Sequence, residues 1–123
     1  MVGTKSPPSI TLTLPFPPSV NNLFINAGRK RVRSPRYRAW AEEAGFLLNT
    51  QHARPVPGPV KLIYEFQEGQ DKRRRDVGNL EKPVTDLLVT HGVIEADDGR
   101  VVRSINLSWS RDVVGVRVTV EAA

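Results

Sequence analysis

The chain has 123 residues, no cysteine and a net charge of +5. Its length suits one compact domain, and the absence of thiols excludes a disulfide scaffold, a thiolate zinc site and a cysteine nucleophile. Its two histidines, His52 and His91, stand too far apart in sequence to suggest a multi-histidine metal site, and a pI of about 10.1 favours a polyanionic partner, nucleic acid first. No apolar run approaches the roughly 20 residues of a membrane span, and MVGTKSPPS has no signal-peptide apolar region. The expectation is a cytoplasmic protein without membrane contact.

Residues 1–8 read as a loose tail. SITLTLP alternates, with Ile10, Leu12 and Leu14 on one face and Thr11 and Thr13 on the other, so a strand is predicted. FPPSVNN stops it with turn residues. NAGRKRVR reads as a basic loop or mobile arm. Ser34-Pro35 opens a helix, Ser34 as N-cap and Pro35 at the first helical position. The helix reaches about Gln51 with Trp40, Ala44, Leu47 and Leu48 as its apolar stripe, and Gly45 inside it is a weak point or a close-packing contact.

ARPVPGP is a connector, and VKLIYEF a strand burying Val60, Leu62, Tyr64 and Phe66. DKRRRDVGN follows as a loop. A second helix is predicted over about Leu80 to Val89, capped by Asn79, with Gly92 as a left-handed terminator. VIEADDGR is a short strand or turn. VVRSINLSW and VVGVRVTVEA are predicted to form a terminal hairpin through SRD. The order is β-α-β-α-β-β. The fold class is α+β, a single domain with a mixed sheet and helices packed on it.

Charge is distributed unevenly. Arg29, Lys30, Arg31, Arg33, Arg36 and Arg38 crowd one segment, and Lys72, Arg73, Arg74 and Arg75 another. Seven of the thirteen carboxylates, Asp71, Asp76, Glu81, Asp86, Glu95, Asp97 and Asp98, crowd residues 71–98. At about 100° per residue, Asn79, Lys82 and Asp86 share one face of the second helix, while Leu80, Val84, Leu87 and Leu88 share the other. Asp76 immediately precedes this helix, and Asp97 and Asp98 return close behind it. Carboxylates under an arginine-rich rim suit a hard cation such as Mg²⁺. A cation there activates water and polarises phosphate, a lysine balances charge on the phosphate, and arginines hold the nucleic-acid backbone. These are the parts of a metal-dependent phosphodiester hydrolase. Each part also has a plainer reading: Asp97-Asp98 as a solvated turn, Lys82–Asp86 as an i,i+4 ion pair, Asn79 as a helix cap.

The combination of LPFPPSVNN (Leu14 to Asn22), RRRDVGNLEK (Arg73 to Lys82), TDLLV (Thr85 to Val89) and GVIEADDGRVV (Gly92 to Val102) resembles the RusA family of Holliday-junction resolvases. The resemblance implies a RusA-like fold over the chain and a homodimeric, Mg²⁺-dependent endonuclease, with Mn²⁺ as a substitute. Such an enzyme resolves four-way DNA junctions by paired symmetric nicks and is often prophage-encoded. Against the pattern R-D-x-D-N-x-x-K, Asp76 takes the place of a metal ligand, Asn79 of the asparagine and Lys82 of the essential lysine. Asp98 better matches the later acidic ligand. One extra residue before the pair keeps Asp97 a candidate.

The resemblance therefore assigns Asp76, Lys82 and Asp98 to catalysis, and Asp76, Asp98 and Asp97 to the metal, to which the shared helix face adds Asp86 as a candidate. The basic runs, Arg29, Lys30, Arg31, Arg33, Lys72, Arg73, Arg74 and Arg75, are read as contacts to DNA, together with Asn79. The departure is Gly78, where the pattern has a second aspartate. Either Asp86 supplies the missing carboxylate, or both Asp97 and Asp98 ligate, or the protein is a weakened nuclease that still binds DNA. A non-catalytic basic DNA- or RNA-binding module is the alternative function. Phe16 and Phe24 are expected to pack under the Pro-Pro-Ser turn rather than act as aromatic wedges.

Overall fold

The computed structural model describes residues 8–70 and 75–123. The expected tail therefore lies outside the described residues except for Pro8, whose carbonyl accepts from Ala122 N at 2.9 Å. Six strands and two helices follow in chain order: β1 (Ser9–Leu14), β2 (Phe24–Ala27), β3 (Lys30–Arg33), α1 (Pro35–Thr50), β4 (Val60–Gln67), α2 (Glu81–Thr90), β5 (Val102–Ser110) and β6 (Val116–Ala122). Short 3-10 turns occupy Val20–Asn22 and Val77–Leu80. The class is α+β, with a mixed four-stranded sheet of order β1-β6-β4-β5 and a separate two-stranded sheet, β2-β3.

Period-two alternation builds the main sheet. Leu12, Leu14, Val60, Leu62, Tyr64, Phe66, Val116, Val118 and Val120 are buried and share a core with Trp40, Ala44 and Leu48 of α1 and Val84, Leu87 and Leu88 of α2. The intervening positions carry polar groups such as Thr11, Lys61, Glu65 and Arg117, more open to solvent. Phe16 packs edge-on to Phe66 and Phe24 edge-on to Tyr37, so both phenylalanines pack inward as expected.

α1 begins where its cap dictates. Ser34 Oγ accepts from Tyr37 N at 3.0 Å and Pro35 fills the first helical position. Gly45 is a close-packing contact: a Cβ there would stand 2.7 Å from His91 Nε2 at the end of α2. Gly92 ends α2 in the left-handed region, with φ 71°.

Three expectations are corrected. The basic segment is no loop: Phe24–Ala27 and Lys30–Arg33 pair as an antiparallel hairpin. Asn79 does not cap α2. It lies inside the second 3-10 turn, its N–H bonded to Asp76 O at 3.0 Å, and the turn runs directly into α2 through Leu80. The third correction concerns β5 and β6, which form no hairpin. β4 lies between them, parallel to β5 and antiparallel to β6. β4 buries every second residue and half-buries three of the four between them, so its most favourable place has a neighbour on both sides.

The chain must therefore step over the end of β4. Glu68 N donates to Ser110 O at 2.9 Å, and Gln67 N to Gly115 O at 2.8 Å. Gly115 closes this step at φ 76°, where a Cβ would lie 2.2 Å from Leu14 O. No side chain fits there, and the left-handed conformation adds its own cost. Gly115→Ala is expected to destabilise the fold by more than about 2 kcal/mol, read from urea unfolding midpoints.

Arg117 on β6 donates to both carboxylate oxygens of Glu65 on β4, at 2.9 and 2.7 Å. That hydrogen bonding holds the Glu65 carboxyl below its usual range. A depressed folded-state pKa contributes stability that is present above the unfolded value and lost as pH falls through the folded one. Arg117→Ala should therefore lower stability at pH 7 and narrow the gap from the parent protein in acid, measured by urea unfolding across the acid range.

Candidate active site

The connection from β4 to α2 carries Asp76 of the RRRDVGNLEK segment. Asp71, Lys72, Arg73 and Arg74, three of them predicted DNA contacts, lie outside the described residues. Arg75 follows, its guanidinium 5.8 Å from the Phe16 ring centroid. Asp76 is exposed at the head of the second 3-10 turn. It lines a polar cleft of about 350 Å³ with Ser19, Asn21, Asn22, Arg75, Asn79 and Leu80. Since Asn79 is spared capping duty, its amide is available to that cleft. Asn21 and Asn22 are residues the sequence reading treated as turn chemistry alone. The turn brings them to Asp76, and only the contact between the two 3-10 segments reveals it.

One turn further on, Lys82 Nζ lies 3.3 Å from Asp86 Oδ2. The hydrogen bond and charge of Asp86 raise the Lys82 pKa, and the charge of Asp97 adds to the rise. Tyr37 of α1 belongs to the same neighbourhood. Its phenol is raised by burial and by Asp86, against the opposing charges of Arg33 and Lys82. Arg33, Tyr37, Lys82, Asp86 and Asp97 therefore share one electrostatic environment, where the hairpin meets α2.

Asp98 is differently engaged. Its Oδ1 accepts from Arg100 N at 2.9 Å, and its Oδ2 lies 3.2 Å from Arg100 Nη2. Its carbonyl accepts from Val101 N and Val102 N at 3.0 and 2.8 Å. The bonds from Arg100 hold its carboxyl below the ordinary range. Asp98 lines a shallow depression with Glu95 and Arg100, apart from the cleft of Asp76. Among the described residues, no group of three or more His, Cys, Asp or Glu side chains draws together as a metal cluster.

Gly78 is exposed within the 3-10 turn. Its φ is not in the left-handed region, and nothing lies within 4 Å of where a Cβ would stand. Neither of the backbone reasons for glycine, positive φ or close approach, applies. Glu81 stands three residues later, one 3-10 turn along. It is held from behind: Thr85 Oγ1 donates to Glu81 Oε2, and the buried Tyr64 hydroxyl lies 2.8 Å from Thr85 Oγ1. Thr85 has one hydroxyl hydrogen and gives it to Glu81, so Tyr64 donates to Thr85. Burial drives the Tyr64 phenol far upward and keeps it a neutral donor. Sequence pattern offered no sign of this chain, because Thr85 reads as an ordinary helix residue.

The predicted DNA contacts Arg29, Lys30, Arg31 and Arg33 are exposed on the hairpin. Arg31 stacks over Phe24 at 5.2 Å and Arg33 over Tyr37 at 5.0 Å, which fixes both guanidinium stems beside the site. Among the described residues, no helix is long and apolar enough to cross a membrane.

The family profile described as "Endodeoxyribonuclease RusA" matches residues 15–121. A protein of Escherichia coli (strain K12), named crossover junction endodeoxyribonuclease RusA, is 34% identical over 93 residues, covering 75% of this chain and 76% of the relative. The like-named protein of Enterobacteria phage HK97 is 26% identical over 110 residues, covering 86% and 90%. The matched span takes in the Asp76 cleft, the Lys82–Asp86 pair and the Asp97-Asp98 turn, and the chain belongs to the RusA endodeoxyribonuclease family.

Proposed function

We propose that this endonuclease resolves four-way DNA junctions in the cytoplasm. It works as a homodimer that nicks two strands symmetrically and depends on a divalent cation, Mg²⁺ with Mn²⁺ as a substitute. The reading is supported by one arrangement: Asp76 and Asn79 line a polar cleft just before the helix that carries Lys82, and Asn22, another wall of that cleft, leads into a hairpin bearing four cations. A junction has two equivalent scissile positions, and a two-fold dimer presents two equal centres to them.

The donor chemistry fits a hard cation. All the candidate groups are oxygen donors, and Mg²⁺ is often held by one or two carboxylates with waters and substrate phosphate oxygens. Asp76 is the first ligand, and Asp97, with Asp86 behind Lys82, the source of the second. Asp97 is favoured over Asp98 because Lys82 feels its charge, whereas Asp98 is occupied by Arg100. When bound, the ion lowers the pKa of water and polarises phosphate. Lys82, its pKa raised, stays charged at neutral pH and balances negative charge on the phosphate. Arg29, Lys30, Arg31, Arg33 and the Lys72–Arg75 run hold the backbone.

Asp76→Asn is expected to reduce cleavage of a labelled four-way junction by at least about 100-fold and to leave junction binding equal or tighter in gel shift, since a negative charge near phosphate is removed. Loss of binding in that variant would assign Asp76 a structural role.

The competing reading, a family member that binds DNA without cutting it, is favoured by one observation, the absent carboxylate at Gly78. The open space there makes Gly78→Asp a clean test. The variant should fold with a midpoint close to the parent's. A steep rise in cleavage would show the natural site to be one carboxylate short. Unchanged or reduced cleavage would show that Asp86, Asp97 or Glu81 already supplies it. A parent protein that binds junctions yet cuts none with Mg²⁺ or Mn²⁺ would establish the non-cutting reading.

A further inference from the structure

The β2–β3 hairpin has two unlike faces. Cross-strand register pairs Phe24 with Arg33 and Asn26 with Arg31 on one face, and Ile25 with Val32 and Ala27 with Lys30 on the other. The first face is committed to the protein: Phe24 meets Tyr37 edge-on, Arg33 stacks on Tyr37 and Arg31 on Phe24. Alternation then turns Ile25 and Val32 away from the body. They are 46% and 37% exposed, two adjacent β-branched side chains on a free ribbon. The tip is narrow, a two-residue turn with Gly28 in the left-handed region at φ 66°.

What covers this apolar pair is indicated by the charge around it. Arg29, Lys30, Arg31 and Arg33 surround it, and the first carboxylate of the chain is Glu42. Two copies brought face to face here would meet cation against cation, with no acidic side chain on either ribbon. A polyanion with apolar surface of its own satisfies both requirements, and DNA offers it where bases lose their stacking partners. Apolar side chains inserted between base steps open and kink a duplex. At a branch point that unstacking is already partly done, so the cost of insertion is lowest there.

We infer that the Ile25–Val32 face of the hairpin is a wedge that contacts unstacked bases at the branch point of the DNA, making this pair a determinant of preference for branched over linear duplex. The inference rests on the junction reading above and adds the element that recognises the branch. Phe24 and Arg33 pack the hairpin against Tyr37 of α1, so the wedge is held on a fixed base.

The test compares the full chain with Ile25→Ser/Val32→Ser and with Lys30→Gln, using Ca²⁺ in place of Mg²⁺. Probes are a four-way junction carrying 2-aminopurine beside the branch and a linear duplex of the same length. The parent should raise 2-aminopurine fluorescence and prefer the junction. The double variant should lose that fluorescence change and reduce junction preference about tenfold, with duplex affinity unchanged and circular dichroism like the parent's. Lys30→Gln should weaken both substrates alike.

Full fluorescence change and preference in the double variant would overturn the wedge while leaving the junction reading intact. Conversion of the double variant to a smaller species in sedimentation would overturn it in favour of a self-interface. A parent with no preference for the junction would overturn the junction reading, and the wedge with it.

Discussion

One hydroxyl organises the region on which the site depends. Ser34 Oγ accepts from Tyr37 N at the start of α1 and donates to Asn22 O at 2.7 Å, while Ser34 N donates to Leu23 O at 2.8 Å. A helix cap commonly contributes about 1 kcal/mol to its own helix. Here the same buried side chain also closes the base of the β2–β3 hairpin and holds the turn that delivers Asn21 and Asn22 to Asp76. The cap thus couples helix start, hairpin exit and cleft wall. Trp40 reinforces the link by donating Nε1–H to Pro15 O at 2.9 Å. The prolines and asparagines of FPPSVNN are framework as much as punctuation.

The electrostatics follow from a conflict. A chain that binds a polyanion gathers positive charge, yet metal-assisted hydrolysis needs carboxylates within that charge. Among the described residues the two are only partly separated. Cations ride the hairpin and acids sit on and just beyond α2, while Asp76 lines a cleft together with Arg75 ahead of that helix. The boundary between them is Lys82, paired with Asp86 and within the field of Asp97. Asp98, next in sequence, is engaged otherwise: its backbone carbonyl closes the turn into β5 and its side chain holds Arg100.

Elements governed by local chemistry were legible in the sequence. β1, β4 and α1 could be placed from alternation, helical period and the Ser-Pro cap, because one residue type at one position decides each of them. Features fixed by distant neighbours were not. The β2–β3 ribbon reads as a solvated loop since its strands are four residues each and rich in cations. β5 and β6 read as a hairpin because periodicity reports strands and never their order. The insertion of β4 is decided by how much of β4 must be buried. At the site, Lys82–Asp86 was legible from i,i+4 spacing, whereas the Asp97–Asp98 division of labour depends on the turn geometry. The Glu81–Thr85–Tyr64 chain joins residues 21 apart through a buried hydroxyl.

Gly78 has an implication that reaches beyond chemistry. It sits in open space with an ordinary backbone, so an aspartate side chain would meet no steric obstacle at that position. The position is sterically neutral: its residue can change with what the neighbouring cleft has to hold, without any rearrangement of the turn that carries it.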